Sequence, residues 1–366
     1  MDFPRTPIHG IEVSAYTIPT DAPEADGTLA WDSTTLVLVQ IDAGSVRGLG
    51  YTYGDKAIAT VAKRLAERCL LGKPACDIPQ LHESMLRQVR NDGSDGISAM
   101  AISALDIGLW DVKARLAGSP LSALLGRAES SVAAYGSGGF TSYSDTQLTT
   151  QFSQWVESGF TRVKMKVGSD PGADPGRVHT ARKAIGANTS LFVDANGAYA
   201  VKQAIALSRR FAEEDVSWFE EPVSSDHLSG LHRIRAEAPA GMEIAAGEYG
   251  YSHFYFRRML EAGAVDVLQL DATRCKGYTG FLKGAAIAES FGCPLSAHCA
   301  PSLHMHAACA VPGFRHIEYF HDHARIEQMF FDGFIAPRNG RLQPDMSAPG
   351  LGLVFKQKDA ERFAVS

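Results

Sequence analysis

Three acidic residues each stand at the point where a predicted β-strand ends. They are Asp194 in SLFVDANG, Glu220 in VSWFEEPV and Glu248 in EIAAGE. A set of ligands made only of carboxylate oxygens suits a hard divalent cation such as Mg²⁺. The separations of 26 and 28 residues are each about one strand–helix unit, so neighbouring strand ends would deliver neighbouring oxygens. The sequence therefore predicts a magnesium site formed by these three side chains.

Two lysines end the strand that precedes the first of these acids. The segment RVKMKVG places Lys164 and Lys166 two residues apart, so both side chains point to one face of the strand. A lysine beside a second cation has its ammonium form disfavoured, which lowers its pKa. We expect Lys166 to act as a base. We expect Lys164 to lower the pKa of Lys166 and to contact a substrate carboxylate.

A second basic group is predicted on two later strands. The segments VDVLQLD and CPLSAH end in Asp271 and His298. The carboxylate of Asp271 can fix the tautomer of His298, which then serves as a second base or as an acid that protonates a leaving hydroxyl. Glu318 ends the eighth strand, HIEYF, and in its protonated form it would donate a hydrogen bond or a proton.

These residue types together indicate removal of a proton next to a carboxylate. Such a C–H group is a very weak acid because its ionisation produces an enediolate dianion, and a metal ion with hydrogen-bond donors must stabilise that charge. Any one of the residues taken alone would more simply be a solvated strand end, a surface lysine or a buried core histidine. The catalytic interpretation is favoured because seven of them fall on six consecutive strand ends.

The elements that must position these residues alternate regularly from about residue 131. Eight short apolar strands are separated by amphipathic helices, and this pattern predicts a closed parallel barrel whose active site lies at the C-terminal ends of the strands. We place an N-terminal α+β domain at 1–128, the barrel at 129–325 and a C-terminal segment that returns to the first domain at 326–366. The polar stretch 19–32 is rich in Pro, Asp and Gly, which predicts a mobile surface loop.

The composition argues against several classes of protein. The chain has 366 residues, of which 45% are hydrophobic and 21% charged, and its net charge of −6 includes no basic block. Binding to nucleic acid or to an anionic membrane is therefore not expected. We expect no signal peptide and no transmembrane span, since neither apolar pattern is present. The six cysteines contain no CxxC pair and fit free thiols in the cytoplasm.

Taken together, these motifs resemble those of the enolase superfamily, and within it the mandelate racemase subgroup, over essentially the whole chain. The segment from Lys164 to Lys166 resembles the KxK motif, whose second lysine is the base on one face of the substrate. The three acids resemble that family's Mg²⁺ ligands, and Asp271 with His298 resembles its dyad on the other face. Glu318 looks like the eighth-strand electrophile.

The resemblance implies a fold, a cofactor and a partial reaction. The expected fold is α/β, a modified (β/α)7β TIM-like barrel with an α+β capping domain, and the expected cofactor is Mg²⁺. The stretch 19–32, with residues near 51–53, would close over the substrate and set specificity. The muconate-lactonizing subgroup would place a lysine on the sixth strand, where this chain has Asp271.

We predict an enzyme that dehydrates a sugar acid to a 2-keto-3-deoxy acid. The same residues permit racemisation or epimerisation of a 2-hydroxy acid, and cycloisomerisation of a sugar-acid lactone. A metal-dependent barrel hydrolase would instead need histidine-rich metal ligation, and a metal-stabilised binding protein gives no reason for Lys166 and His298 to face each other. The expected partners are a small-molecule carboxylate substrate and further copies of the chain in a homo-oligomer.

Overall fold

The structure is a computed structural model that describes residues 5–365. The first four residues of the predicted N-terminal domain and the last residue of the predicted C-terminal segment lie outside the described residues. Within 5–365, an antiparallel sheet with helices precedes a closed parallel barrel, and the chain then returns to the first sheet.

The N-terminal unit is a sheet covered by a layer of helices. Its strands are β1 (Ile8–Ala25), β2 (Ala30–Ala43) and β3 (Val46–Tyr53). Its helices are α1 (Ala57–Leu65), continued by a π-helical turn at Ala66–Leu70, then α2 (Ile78–Gln88), α3 (Ile97–Leu116) and α4 (Leu121–Leu125).

Helix α3 packs directly on β3 because glycine removes the side chain between them. A Cβ atom at Gly50 would lie 2.2 Å from the carbonyl oxygen of Ala104, a distance that real Cβ contacts do not show. Most of the 20 residues of α3 are buried by this contact. Neither α3 nor any other helix within residues 5–365 is both long enough and apolar enough to cross a bilayer.

Eight parallel strands close the barrel. They are β4 (Val132–Gly138), β5 (Arg162–Lys166), β6 (Ser190–Asp194), β7 (Val216–Glu220), β8 (Glu243–Ala246), β9 (Val267–Leu270), β10 (Leu295–Ala297) and β11 (His316–Phe320). Each strand pairs with the next, and β11 pairs with β4. The predicted α/β barrel with a capping domain is confirmed.

Helices follow the barrel strands and cover the outside. They are α5 (Asp145–Glu157), α6 (Asp174–Ile185), α7 (Val201–Ala212), α8 (Leu228–Glu237), α9 (His253–Glu261), α10 (Gly277–Ser290), α11 (Pro301–Cys309) and α12 (His321–Phe330). Inside the barrel, Tyr135, Phe192 and Trp218 pack with two smaller apolar side chains into a buried cluster. This close-packed aromatic layer lies beneath the C-terminal ends of the strands and restricts their movement.

The remaining chain contacts both units. It contains β12 (Phe331–Asp332), β13 (Arg341–Leu342), β14 (Val354–Phe355), α13 (Gln357–Ala360), a 3₁₀ turn (Glu361–Phe363) and β15 (Ala364–Val365). Strand β15 pairs antiparallel with β1, and β13 pairs antiparallel with β4. The C-terminal segment therefore ties the N-terminal sheet to the barrel.

The prediction of a mobile loop over 19–32 was wrong, because β1 and β2 run through most of it as the two arms of a hairpin. The barrel holds the tip of this hairpin. The backbone N–H of Thr141 donates to the carbonyl of Ala25 at 2.8 Å, and the ring of Trp31 packs edge-on against Phe140 at 5.6 Å. These tertiary contacts order a segment whose local composition favours a loop.

Candidate active site

The structure brings the three predicted metal ligands together. Asp194 and Glu220 are the last residues of the adjacent strands β6 and β7, and Glu248 follows β8 by two residues. One carboxylate oxygen from each lies within 4.8 Å of the others. All three residues are buried. Consecutive strand ends thus converge on one point, as parallel-barrel geometry requires.

The charges at this point fit a divalent cation. Among the described residues, the four carboxylates of the three acids and of Glu318 form ion pairs with only three lysine or arginine side chains, Lys164, Lys166 and Arg274. The pKa of Glu220 is raised well above its usual value by burial and then by the negative charge of Asp194. Oε2 of Glu248 is buried and accepts no hydrogen bond from any described residue. A group with two positive charges and a preference for oxygen would satisfy both features.

Lys164 lies inside the carboxylate cluster. Its Nζ is 2.6 Å from Oε1 of Glu220, 2.8 Å from Oε1 of Glu318 and 3.2 Å from Oδ2 of Asp194. Burial would lower the pKa of Lys164, but the neighbouring carboxylates outweigh burial and raise it. Lys164 is therefore a fixed positive charge that holds three strand ends together.

Lys166 is held by one of the predicted metal ligands. Its Nζ lies 2.6 Å from Oδ2 of Asp194 and 3.0 Å from Oδ1 of Asn196. Burial lowers the pKa of Lys166 and Lys164 lowers it further, but the negative charges of Asp194, Glu248 and Glu318 together outweigh both and the pKa is raised. The predicted lowering of the Lys166 pKa is therefore wrong, and Asp194 is the largest cause of the rise.

The predicted pairing of Asp271 with His298 is present. Nδ1 of His298 lies 2.8 Å from Oδ2 of Asp271, while Oδ1 accepts hydrogen bonds from the backbone N–H and the hydroxyl of Thr273, each at 2.7 Å. Burial would raise the pKa of Asp271, but the hydrogen bond and charge of His298 lower it. Nε2 of His298 is left on the other side of the ring, 3.4 Å from Oε2 of Glu248.

Glu318 is an acceptor. Its Oε1 accepts from the hydroxyl of Ser137 at 2.5 Å, and its Oε2 accepts from the backbone N–H of Cys299 at 3.1 Å. Burial would raise the pKa of Glu318, but Lys164, His298 and Lys166 together outweigh burial and hold it well below its usual range. The protonated form that the predicted donor role requires is therefore disfavoured. The sequence carried no signal for the contacts with Ser137 and Cys299.

A cavity of about 440 Å³ lies between these strand ends and the N-terminal hairpin. From the barrel it is lined by five of the predicted residues, Lys166, Glu248, Asp271, His298 and Glu318. From the N-terminal sheet it is lined by polar side chains that include Ser33, Thr35 and Tyr53. The expectation that 19–32 and residues near 51–53 cover the substrate agrees with the cavity, because Asp26, Leu29, Trp31 and Tyr53 line it. Ser33 and Thr35 lie just beyond 19–32.

Sequence comparison identifies the family. Residues 13–126 match the model of the mandelate racemase/muconate lactonizing enzyme N-terminal domain, and residues 147–360 match that of the enolase C-terminal domain-like family. The chain belongs to the mandelate racemase/muconate lactonizing enzyme family. This confirms the resemblance inferred from the KxK motif and the three strand-end acids.

Three relatives illustrate the range of the family. The 3,6-anhydro-α-L-galactonate cycloisomerase of Streptomyces coelicolor is 34% identical, over 98% of this chain and 99% of its own. The structure of a mandelate racemase/muconate lactonizing enzyme-like protein from Rubrobacter xylanophilus is 48% identical with a TM-score of 0.94, over 98% and 100% of the two chains. The L-talarate/galactarate dehydratase of Salmonella typhimurium LT2, solved with Mg and L-lyxarohydroxamate, is 28% identical with a TM-score of 0.91, over 99% and 93%.

Proposed function

We propose that this protein is a Mg²⁺-dependent enzyme that removes the α-proton of a sugar acid and dehydrates the acid to a 2-keto-3-deoxy product. The observation that carries the proposal is one cavity lined by two basic groups, Lys166 and His298, beside three carboxylates that approach within 4.8 Å of one another. Family membership supports it, because relatives with this fold include a dehydratase solved with Mg.

The predicted ligands Asp194, Glu220 and Glu248 would hold the cation. A bound Mg²⁺ would withdraw charge from the substrate carboxylate and would compete with Lys166 for the oxygen of Asp194. Lys164 is fully buried in the cluster, where its charge opposes the rise in the pKa of Glu220 and lowers the pKa of Glu318. These side chains therefore place fixed charges around the carboxylate end of the substrate.

His298 is positioned to carry the proton on one side. With Nδ1–H donated to Asp271, Nε2 keeps its lone pair, lies 3.1 Å from Sγ of the cavity-lining Cys299 and can accept the proton on C2. Lys166 lies three strands away around the shorter side of the barrel and presents Nζ from another direction. One of these groups takes the C2 proton as the C–H bond breaks. The other, when protonated, gives its proton to the C3 hydroxyl, which leaves as water, and the resulting enol becomes the 2-keto acid.

Cycloisomerisation is the second candidate, because a relative with that name is 34% identical over almost the full length of both chains. In a substrate with a ring oxygen on C3, removal of the same C2 proton would expel the ring oxygen. The ring would open and no water would be lost. Mass spectrometry of the product distinguishes the two outcomes, since dehydration removes one water and cycloisomerisation conserves the mass.

We propose two further properties, a location and an assembly state. The free cysteines of the described chain fit a reducing compartment, and we place the enzyme in the cytoplasm. A role in carbohydrate catabolism is proposed because the proposed substrate is a sugar acid. We also propose that it is a homo-oligomer that takes a small carboxylate substrate. Size-exclusion chromatography with light scattering tests the assembly.

The test of the function is exchange of the α-proton in D₂O, followed by ¹H NMR with Mg²⁺ and a panel of sugar acids. Exchange is expected with the wild type and should fall by about 10²–10⁴-fold in Lys166→Ala and His298→Asn. The exposed positions Lys202 and His232 supply matched controls, Lys202→Ala and His232→Asn, which should retain exchange. Absence of exchange with every acid would refute the proposal.

A further inference from the structure

The cavity is divided by charge. Among the described residues that line it, Lys166 and Arg274 are the only lysine or arginine, and both are already engaged on the barrel side. Nζ of Lys166 lies 2.6 Å from Asp194, and the Arg274 guanidinium lies 3.4 Å from Glu248 and 3.6 Å from Asp271. The positive charges are therefore gathered where the reacting carboxylate is expected to bind.

The opposite wall presents uncharged polar side chains beside the apolar Leu29, Trp31 and Phe320. Strand β2 contributes Ser33, Thr34 and Thr35, and β3 ends with Tyr53. The hydroxyl of Tyr53 is buried, and it has no hydrogen-bond partner among residues 5–365. A buried hydroxyl without a partner is unfavourable, so this group is available for a hydroxyl or ring oxygen of a ligand.

His323 extends this uncharged wall. Its ring stacks on that of Tyr53, with 3.5 Å between the centroids and 14° between the planes. Burial, together with the charge of His298, lowers the pKa of His323 to about 3, so its ring is neutral at neutral pH. The backbone N–H of Ala300 donates to Nδ1 of His323 at 3.4 Å, which leaves the proton on Nε2. His323 can donate one hydrogen bond but supplies no positive charge.

The rim of the cavity adds negative charge. Asp26 lies in the turn of the hairpin, where its Oδ1 accepts from the backbone N–H of Leu29 at 2.8 Å. Asp55 lies before α1, where its Oδ1 accepts from the backbone N–H of Ala57 at 2.7 Å. These hydrogen bonds fix both carboxylates at the rim. A second carboxylate on the substrate would meet like charge there.

Building on the proposed function, we propose that the substrate is a sugar acid with a single carboxylate, an aldonate or an anhydro-aldonate, whose far end presents hydroxyl or ring oxygens to the wall formed by Ser33, Thr35, Tyr53 and His323. An aldarate, which carries a carboxylate at each end, would place its second charge where no lysine or arginine lines the cavity. The names of the relatives include both classes of acid, so the choice rests on the side chains of this chain.

The first test compares acids that differ only at the far carbon. Galactonate and galactarate form one suitable pair, and gluconate and glucarate form another. The remaining stereoisomers of the aldonates and the aldarates complete the two series. With the wild-type enzyme and Mg²⁺, kcat/KM for α-proton exchange should be about 10- to 100-fold higher for the aldonate of a reactive pair. Preference for the aldarates would overturn this inference and leave the proposed function standing. No exchange with any acid of either series, or with an anhydro-aldonate tested beside them, would overturn both.

The second test adds a positive charge to the cavity wall formed by Ser33, Thr35, Tyr53 and His323. Ser33→Arg adds a guanidinium on the cavity face of β2, and Ala30→Arg adds the same charge at an exposed position of the same strand outside the cavity. The ratio of aldarate to aldonate exchange should rise about tenfold or more in Ser33→Arg and stay unchanged in Ala30→Arg. Thermal denaturation checks that both variants fold. An unchanged ratio in a folded Ser33→Arg protein would count against the inference.

Discussion

Oδ2 of Asp271 lies 2.8 Å from Nδ1 of His298, and the other oxygen of the same carboxylate accepts two hydrogen bonds from Thr273. The carboxylate therefore cannot rotate without losing those bonds. It holds one ring nitrogen of His298 as the donor and leaves the other as the acceptor that lines the cavity. The tautomer of the proposed base is thus set by a residue 27 positions earlier in the chain.

The variant Asp271→Asn should show whether Asp271 orients the His298 ring without contributing to substrate binding. An amide can donate its N–H₂ group to Nδ1, which moves the ring proton to Nε2 and removes the lone pair from the cavity. We expect kcat for α-proton exchange to fall by about 10³–10⁴-fold, the scale of the analogous change in a serine protease, with a much smaller change in KM. Nitrogen NMR of His298 should report the changed tautomer. The exposed control Asp332→Asn should leave both unchanged, and an equal loss in the control would contradict the assignment.

Magnesium should stabilise the fold through Glu248. Oε2 of this residue has no hydrogen-bond partner in residues 5–365, and Oε1 makes a long contact of 3.4 Å with Arg274 that a glutamine oxygen can still accept, so little is lost when the charge is removed. In EDTA, Glu248→Gln should be as stable as the wild type. At a Mg²⁺ concentration 100 times its Kd, the unfolding free energy of the wild type should rise by about 2.7 kcal/mol, and that of the variant should rise much less. Urea denaturation measures both. The exposed Glu237→Gln should behave as the wild type, and an undiminished rise in Glu248→Gln would argue against this ligand.

The parts of the site that could be predicted are those with a local signal. Asp194 and Glu220 each end an apolar run of strand length, and barrel closure then forces such ends together. The hairpin that covers the cavity could not be predicted, because contacts with Thr141, far along the chain, order it. The pKa of Lys166 depends on a 2.6 Å contact across two strands, and the neutrality of His323 depends on burial. The distance between two side chains and the burial of a residue follow from the folded structure. The spacing of residues along the sequence reports neither.

Two tyrosines on β3 should respond in opposite ways to the loss of a hydroxyl. Oη of Tyr51 donates to Oε1 of Glu327 at 2.7 Å in the buried interior, whereas Tyr53 is a cavity-lining residue whose buried Oη has no partner in the described chain. Tyr51→Phe should lower the unfolding free energy by about 1–3 kcal/mol, because it leaves a buried carboxyl with one acceptor unsatisfied, and should retain kcat/KM. Tyr53→Phe should retain stability and lower kcat/KM by about 3- to 10-fold. Denaturation and exchange kinetics on both variants test the contrast, which fails if both lose the same property.

His306 should contribute to acid sensitivity. It lies on α11, where Nε2 is 3.2 Å from the carbonyl oxygen of Leu351 and Nδ1 has no hydrogen-bond partner within residues 5–365. Burial lowers the pKa of His306 from 6.5 to about 4. Between these values the unfolded chain binds a proton that the folded chain does not, so the stability contributed above pH 6.5 is lost as the pH falls towards 4, by about 3 kcal/mol. His306→Gln keeps a donor for Leu351 and should flatten the slope of unfolding free energy against pH in this window by about 1.4 kcal/mol per unit. Urea denaturation from pH 7 to pH 4.5 measures the slopes of the wild type and the variant, to which the other histidines contribute equally. Parallel curves for the two proteins would show that His306 is protonated in the folded state.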